Sequence, residues 1–150
     1  MTESLHIVCP HCLARNRVPA DRLADGARCG KCRTALFSAK PVNVDATALQ
    51  RMLNGNDIPV VVDFWAPWCG PCKMFAPVYQ QAAGRLEPRV RLLKCDTQAQ
   101  PEAGARYGIR SIPTLAVFHH GRELGRQAGA MPLAAFLQWI ETQLKPVAAE

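Results

Sequence analysis

"VVDFWAPWCGPCKMFAP", residues 61–77, is the stretch on which the fold turns. With Ile58 to Val60 before it, the segment to Ala66 is a continuous apolar run rich in β-branched residues. That composition fits a strand buried on both faces. Pro71 suits the first position of a helix, predicted to run from there to about Gly84 with a kink at Pro77. Cys69 therefore falls where a buried strand hands over to a helix. The unpaired N–H groups and partial positive charge of a first helical turn favour a thiolate. A cysteine there has a lowered pKa and becomes an attacking nucleophile. Cys72 lies three residues on, one helical turn away, and can reach back to a mixed disulfide on Cys69. Gly70 permits close approach of a partner's backbone, and Trp65 and Trp68 supply apolar walls. This strand, C-x-x-C, helix context points to a redox-active dithiol rather than a structural cysteine pair.

Asp63 sits inside the apolar strand, six residues before Cys69. A lone acid in such a run is costly unless satisfied or functional. With a raised pKa it can take the proton of Cys72 when that thiol resolves the mixed disulfide. Lys94, in the neighbouring predicted strand, is placed to reach toward it.

Working outward, "VNV" (42–44) reads as a short strand and Asp45 as the N-cap of a helix over 46–53, closed by Asn54 and Gly55. "VRLLKCD" (90–96) is a second buried strand, followed by a short helix over about 100–106. "PTLAVFHH" (113–120) and "ELGRQAG" (123–129) flank His120-Gly121, a hairpin signal. Residues 132–144 form an amphipathic helix with Leu133, Phe136, Leu137, Ile140 and Leu144 on one face. The alternation predicts an α/β fold, a central mixed sheet flanked by helices.

These stretches, with "YGIRSIPTLAVFHHG" (107–121) and "GA" (129–130), resemble the thioredoxin family over residues 42–145. The resemblance implies a thioredoxin fold with a cis peptide between Ile112 and Pro113 facing the dithiol. It implies a substrate groove formed by Trp68, Gly70, Pro71, Ile112, Pro113, Ala128, Gly129 and Ala130. It also implies a protein-disulfide reductase activity and re-reduction of Cys69 and Cys72 by an NADPH-dependent thioredoxin reductase, with no organic cofactor bound.

Residues 1–38 are assigned to a separate small domain and 39–150 to the thioredoxin domain, with "SAKPVNV" (38–44) at the seam. Residues 1–40 show weak periodicity, and Ile7, Val8, Leu13, Val18, Leu23, Leu36 and Phe37 are their available core. That is too little for an independent fold without a staple. Two further C-x-x-C motifs lie here, "CPHC" (9–12) and "CGKC" (29–32). No sustained helical face follows Cys12, so "CPHC" lacks the context of a redox motif. Two such knuckles 15–20 residues apart fit a tetrahedral four-cysteine zinc site, here Cys9, Cys12, Cys29 and Cys32. One structural zinc per chain would stabilise this poor core. His6 and His11 are alternative ligands; for His11, between two ligands, a solvated side chain is preferred. The stretch also resembles a zinc ribbon, and a ribbon ahead of a thioredoxin domain is similar to the zinc-containing bacterial thioredoxin 2 group.

The chain has 150 residues and a net charge of +6, with seven Lys/Arg and three acids in residues 1–40. A basic segment can signal nucleic acid; here it is read as balancing four metal-bound thiolates instead. No apolar run approaches the roughly 18 residues of a membrane span. The opening "MTESLHIVC" lacks the features of a secretory signal, so a cytoplasmic monomer is expected. Seven cysteines in that compartment point to metal or redox chemistry rather than a disulfide framework. Cys95 is expected to be a packed thiol, His119 and His120 solvated turn residues, and Met52, Met74 and Met131 core or rim. A second reading makes the ribbon a zinc-dependent redox sensor or holdase, in which oxidation of its cysteines releases the metal.

Overall fold

The structure, a computed structural model, describes residues 3–148. Its centre is a five-stranded sheet in the order β3-β5-β4-β6-β7. The strands are β3 (Val42–Asn43), β4 (Val60–Trp65), β5 (Arg91–Asp96), β6 (Thr114–His119) and β7 (Arg122–Ala128). β5 pairs in parallel with β3 and β4, whereas β4–β6 and β6–β7 are antiparallel. The mixed sheet follows from the connections. Helices link the parallel strands, and a two-residue turn links the last two. His120 (φ 51°) and Gly121 (φ 78°) both occupy the left-handed region, as a type I′ hairpin demands.

Helices cover both faces. On one lie α1 (Ala46–Gly55) and α3 (Pro101–Arg106), packing Leu49, Met52, Leu53 and Ala103 against Val60, Val62, Phe64, Leu93 and Cys95. On the other lie α2 (Gly70–Leu86) and α4 (Leu133–Gln143), packing Phe75, Tyr79, Phe136 and Ile140 against Val61, Leu92, Leu115 and Val117. Burial of β4 and β6 on two faces is why those strands read as continuous apolar runs rather than alternating ones. The Asp45 carboxylate accepts from the Ala48 N–H, capping α1 as predicted. α2 extends through Pro77 and two residues past the predicted end, and a short α5 (Lys145–Ala148) follows α4.

The N-terminal segment departs from the sequence expectation. It contains a hairpin, β1 (Ser4–Val8) with β2 (Arg15–Pro19), where no strand was predicted. The alternation is hidden because the two faces of β1 serve different cores. Ile7 packs with Cys9, Val18, Cys29 and Leu36. Val8 and Leu13, expected in the segment's own core, pack into the α1 face of the large sheet. In return Ile58, ahead of β4, packs into the cysteine-bearing cluster.

Polar contacts hold this seam. The Val8 N–H donates to Asn56 Oδ1 at 2.9 Å, and the His6 N–H donates to Asp57 Oδ2 at 2.7 Å. The Asp57 N–H returns a bond to the His6 carbonyl at 2.9 Å. His6 Nδ1 lies 3.0 Å from Asp57 Oδ2 and His120 Nε2 lies 3.2 Å from Asp57 Oδ1. His119 Nε2 is 3.0 Å from the Asp57 carbonyl oxygen. The expectation that His119 and His120 only face water is therefore corrected, although His120 remains exposed. Burial would raise the Asp57 carboxyl, but the bonds from His6 and then His120 outweigh it and hold the pKa below the usual range.

Candidate functional site

Cys69 is the N-cap of α2, and the Cys72 N–H lies 3.2 Å from Cys69 Sγ. The two are joined as a disulfide, with Cα atoms 5.2 Å apart. Both sulfurs are largely buried, at the end of the strand-to-helix junction read from the sequence. Trp68 stands 69% exposed beside them, and Gly70 and Pro71 are also exposed. Met74 is 79% exposed in the first turns of the same helix, where the sequence left it between core and rim.

Across from the dithiol, the Ile112–Pro113 peptide is cis, as the resemblance implied. Cys69 Sγ lies 3.7 Å from the Ile112 carbonyl oxygen. The Gly129 N–H donates to the Pro113 carbonyl at 2.8 Å, and Ala128 is the register partner of Thr114. Cys69, Ile112, Pro113, Ala128, Gly129 and Ala130 are thus gathered at one edge of the sheet, although they come from three separate stretches of chain. Ala128 and Ala130 are exposed, so the edge is open to a partner.

Asp63 is 1% exposed, and neither of its carboxyl oxygens has a hydrogen-bond partner among the described residues. It lies on the α2 face of β4, between Val61 and Trp65. Burial pushes its pKa up to about 7, with the positive charge of Lys94 opposing the rise. Lys94 is its register partner on β5. The Lys94 ammonium sits 4.4 Å from the centre of the Trp65 ring rather than on the carboxylate. It therefore acts on Asp63 through its field and not by direct contact. Cys95 faces the other way, fully buried, with its thiol pushed up to about 11 by burial and nearby acids. It is a packed thiol, as expected.

At the opposite end of the sheet, Cys9, Cys12, Cys29 and Cys32 bring their sulfurs within 4.8 Å of one another. The two knuckles have matching backbones. Cys9 N–H donates to the Ala14 carbonyl and Cys29 N–H to that of Thr34; Leu13 N–H donates to Cys9 and Arg33 N–H to Cys29. Leu13 (φ 64°) and Arg33 (φ 69°) take the same left-handed turn. Cys9 Sγ is 3.6 Å from Cys32 Sγ, and Cys12 Sγ is 3.5 Å from Cys29 Sγ. A tetrahedron with zinc–sulfur bonds near 2.3 Å has edges of about 3.8 Å, so this donor set fits a zinc ion. N–H groups of His11, Cys12 and Lys31 point at Cys9 and Cys29 sulfurs, an arrangement suited to thiolates. His6 is engaged with Asp57 and the His11 side chain is exposed, so neither stands in for a cysteine. No described helix is long and apolar enough to cross a membrane.

The thioredoxin family model matches residues 40–142, and the model described as "Thioredoxin 2, N-terminal", a zinc ribbon, matches residues 8–34. Thioredoxin C-3 of Corynebacterium nephridii is 40% identical over 139 residues, 93% of this chain and 95% of that protein. Thioredoxin 1 of Nostoc sp. strain PCC 7120 is 43% identical over 108 residues, 72% of this chain and all of that protein. Among solved structures, a mutant thioredoxin from Halobacterium salinarum NRC-1 superposes with a TM-score of 0.64 at 30% identity, covering 71% of this chain and 93% of that one. With the dithiol at the head of α2, the facing cis-proline and these matches along nearly the whole chain, the protein belongs to the thioredoxin family.

Proposed function

We propose that Cys69 is the attacking thiolate and Cys72 the resolving thiol of a protein-disulfide reductase. The observation that carries this reading is the placement of Cys69 at the N-cap of α2, facing the Ile112 carbonyl at an open edge. In the reduced protein the Cys69 thiolate attacks one sulfur of a substrate disulfide. A mixed disulfide forms, and the other substrate sulfur leaves as a thiolate and takes up a proton. Cys72 gives its proton to the Asp63 carboxylate and attacks Cys69 sulfur. The second substrate sulfur leaves, and the protein departs as the Cys69–Cys72 disulfide, oxidised by two electrons. Lys94 tunes Asp63 through its charge.

Trp68, Gly70, Pro71, Ile112, Pro113, Ala128, Gly129 and Ala130 form the groove for the substrate chain, which adds backbone hydrogen bonds in the manner of an extra strand. An NADPH-dependent thioredoxin reductase returns the disulfide to the dithiol, as in the family. Residues 1–38 act as a zinc-ribbon domain beside a thioredoxin domain of 39–150. Cys9, Cys12, Cys29 and Cys32 hold one zinc ion, which supplies structural cross-linking of the ribbon. The protein works as a cytoplasmic monomer with no membrane or nucleic-acid partner. Insulin-disulfide reduction with reductase and NADPH tests the assignment. Cys69→Ser is expected to abolish turnover, and Cys72→Ser to accumulate a mixed disulfide visible by mass; turnover by Cys69→Ser refutes the nucleophile.

A second reading gives the ribbon a sensing role, favoured by the partial exposure of Cys12 and Cys32. It requires zinc release at low micromolar peroxide, read with a chromophoric chelator; retention of the metal leaves the ribbon structural.

A further inference from the structure

Arg91 opens β5 of the large sheet, yet its guanidinium is spent on the N-terminal ribbon. It is 1% exposed. Its Nη2 donates to the Leu36 carbonyl at 2.7 Å and lies 3.5 Å from the Val8 carbonyl. Nη1 donates to Glu87 Oε2 at 3.4 Å, and both of those side chains are 1% exposed. The guanidinium carbon lies 4.4 Å from the centre of the Phe37 ring. Val8 directly precedes the first ligand cysteine, and Leu36 lies four residues beyond the last. One side chain of the large sheet therefore grips the chain entering the first knuckle and the chain leaving the second.

Val8 is held from both sides. Its N–H goes to buried Asn56 Oδ1, whose amide nitrogen donates to the Met52 carbonyl of α1. Its side chain packs in the α1 core, and a Cβ on Gly55 would come within 2.6 Å of it. A shift of this backbone by a fraction of an ångström would move Cys9. Glu87, from the end of α2, neutralises Arg91 and accepts the Ala39 N–H in the linker. Burying this pair is costly unless every partner stays in place, so it enforces one docked geometry.

We propose that Arg91 and Asn56 are positioning residues of the four-cysteine metal site, supplied by the large sheet through the Val8 and Leu36 backbone. Metal affinity and the stability of the large sheet are then one coupled quantity: whatever loosens the docking weakens the metal, and metal removal loosens the docking by the same free energy. The inference rests on the cluster being a zinc site. Residues that orient ligands from outside a metal site are worth about 10- to 100-fold in affinity, and that is the effect expected here.

The test uses the full chain. Zinc stoichiometry and affinity are measured by chelator competition for the wild type, Arg91→Met, Arg91→Lys and Asn56→Ala. Folding is monitored by near-ultraviolet circular dichroism and by insulin reduction, which depends on the remote dithiol. Arg91→Met and Asn56→Ala are expected to bind zinc about 10-fold or more weakly while still reducing insulin. Arg91→Lys, which keeps the charge but loses the fork, is expected to recover only part of the affinity. The zinc-dependent rise in thermal midpoint shrinks in the same order. Folded variants that hold zinc within about twofold of the wild type overturn the inference and leave the zinc site standing. A wild type that binds no zinc overturns the zinc site itself, and the inference with it. If Arg91→Met does not fold, Asn56→Ala and Arg91→Lys decide by the same criterion.

Discussion

Asp63 shows most directly what a single residue does in this molecule. Its carboxyl is pushed up to about 7 by burial, well above the ordinary value near 4 of an unfolded chain. Between those values the unfolded state binds fewer protons than the native one, so stability falls as pH rises from about 4 to about 7. Asp63→Asn removes that penalty. Relative to the wild type it should gain stability across this window, by up to roughly 4 kcal/mol, as measured by urea unfolding at pH 5 and pH 8. Under the proposed relay the same substitution takes away the proton acceptor for Cys72 and should slow insulin reduction several-fold. Unchanged turnover would refute the relay. That an acid sits in an apolar strand is plain from the sequence; that neither of its oxygens has a partner among the described residues needed the packed structure.

At the scale of elements, α2 has to hold its first turn steady while the dithiol exchanges partners. Tyr79 fastens its middle to the sheet, with its hydroxyl 2.6 Å from the Leu93 carbonyl and 3.1 Å from that of Val61. Phe75 and Phe136 meet edge to face beside it, with centroids 5.1 Å apart. Tyr79→Phe should cost about 1–2 kcal/mol in chemical unfolding, since it leaves a buried acceptor without its donor. The strands and helices of residues 42–144 were legible because each obeys its own period, capping or turn chemistry. The hairpin at 4–19 was not. β2 exposes Arg15 and Arg17 and buries only Val18, and β1 divides its apolar residues between two cores.

For the whole molecule, the four-cysteine cluster and the dithiol stand at opposite ends of the parallel strands. The ribbon packs on residues 55–58 and on Arg91, where β4 and β5 begin, whereas Cys69 follows the far end of β4. Six residues of strand separate them by about 20 Å. A Cys29→Ser/Cys32→Ser double variant should therefore reduce insulin at 25 °C within about twofold of the wild-type rate. It should also melt at a lower temperature, because the docking that buries Val8 and Ile58 is weakened. A large loss of turnover in a folded variant would mean that the ribbon reaches the substrate groove.

The sequence by itself determined the local chemistry. A buried strand running into "WCGPC" places a cysteine at a helix start, and two C-x-x-C motifs form two knuckles at metal-site spacing. The dithiol and each knuckle depend on neighbours a few residues apart, which is what a linear pattern records; the pairing of the knuckles spans 17 and 23 positions and was read from their spacing. Tertiary structure decided what depends on long-range placement. It set Ile112 beside Cys69, left Lys94 over Trp65 rather than on Asp63, and turned His6, His119 and His120 toward Asp57. It also sent Arg91, written into an apolar strand, across the seam to the backbone of Val8 and Leu36, which flank the cysteine knuckles. No local period predicts such contacts, because each links residues from 29 to 83 positions apart that meet only when the chain packs.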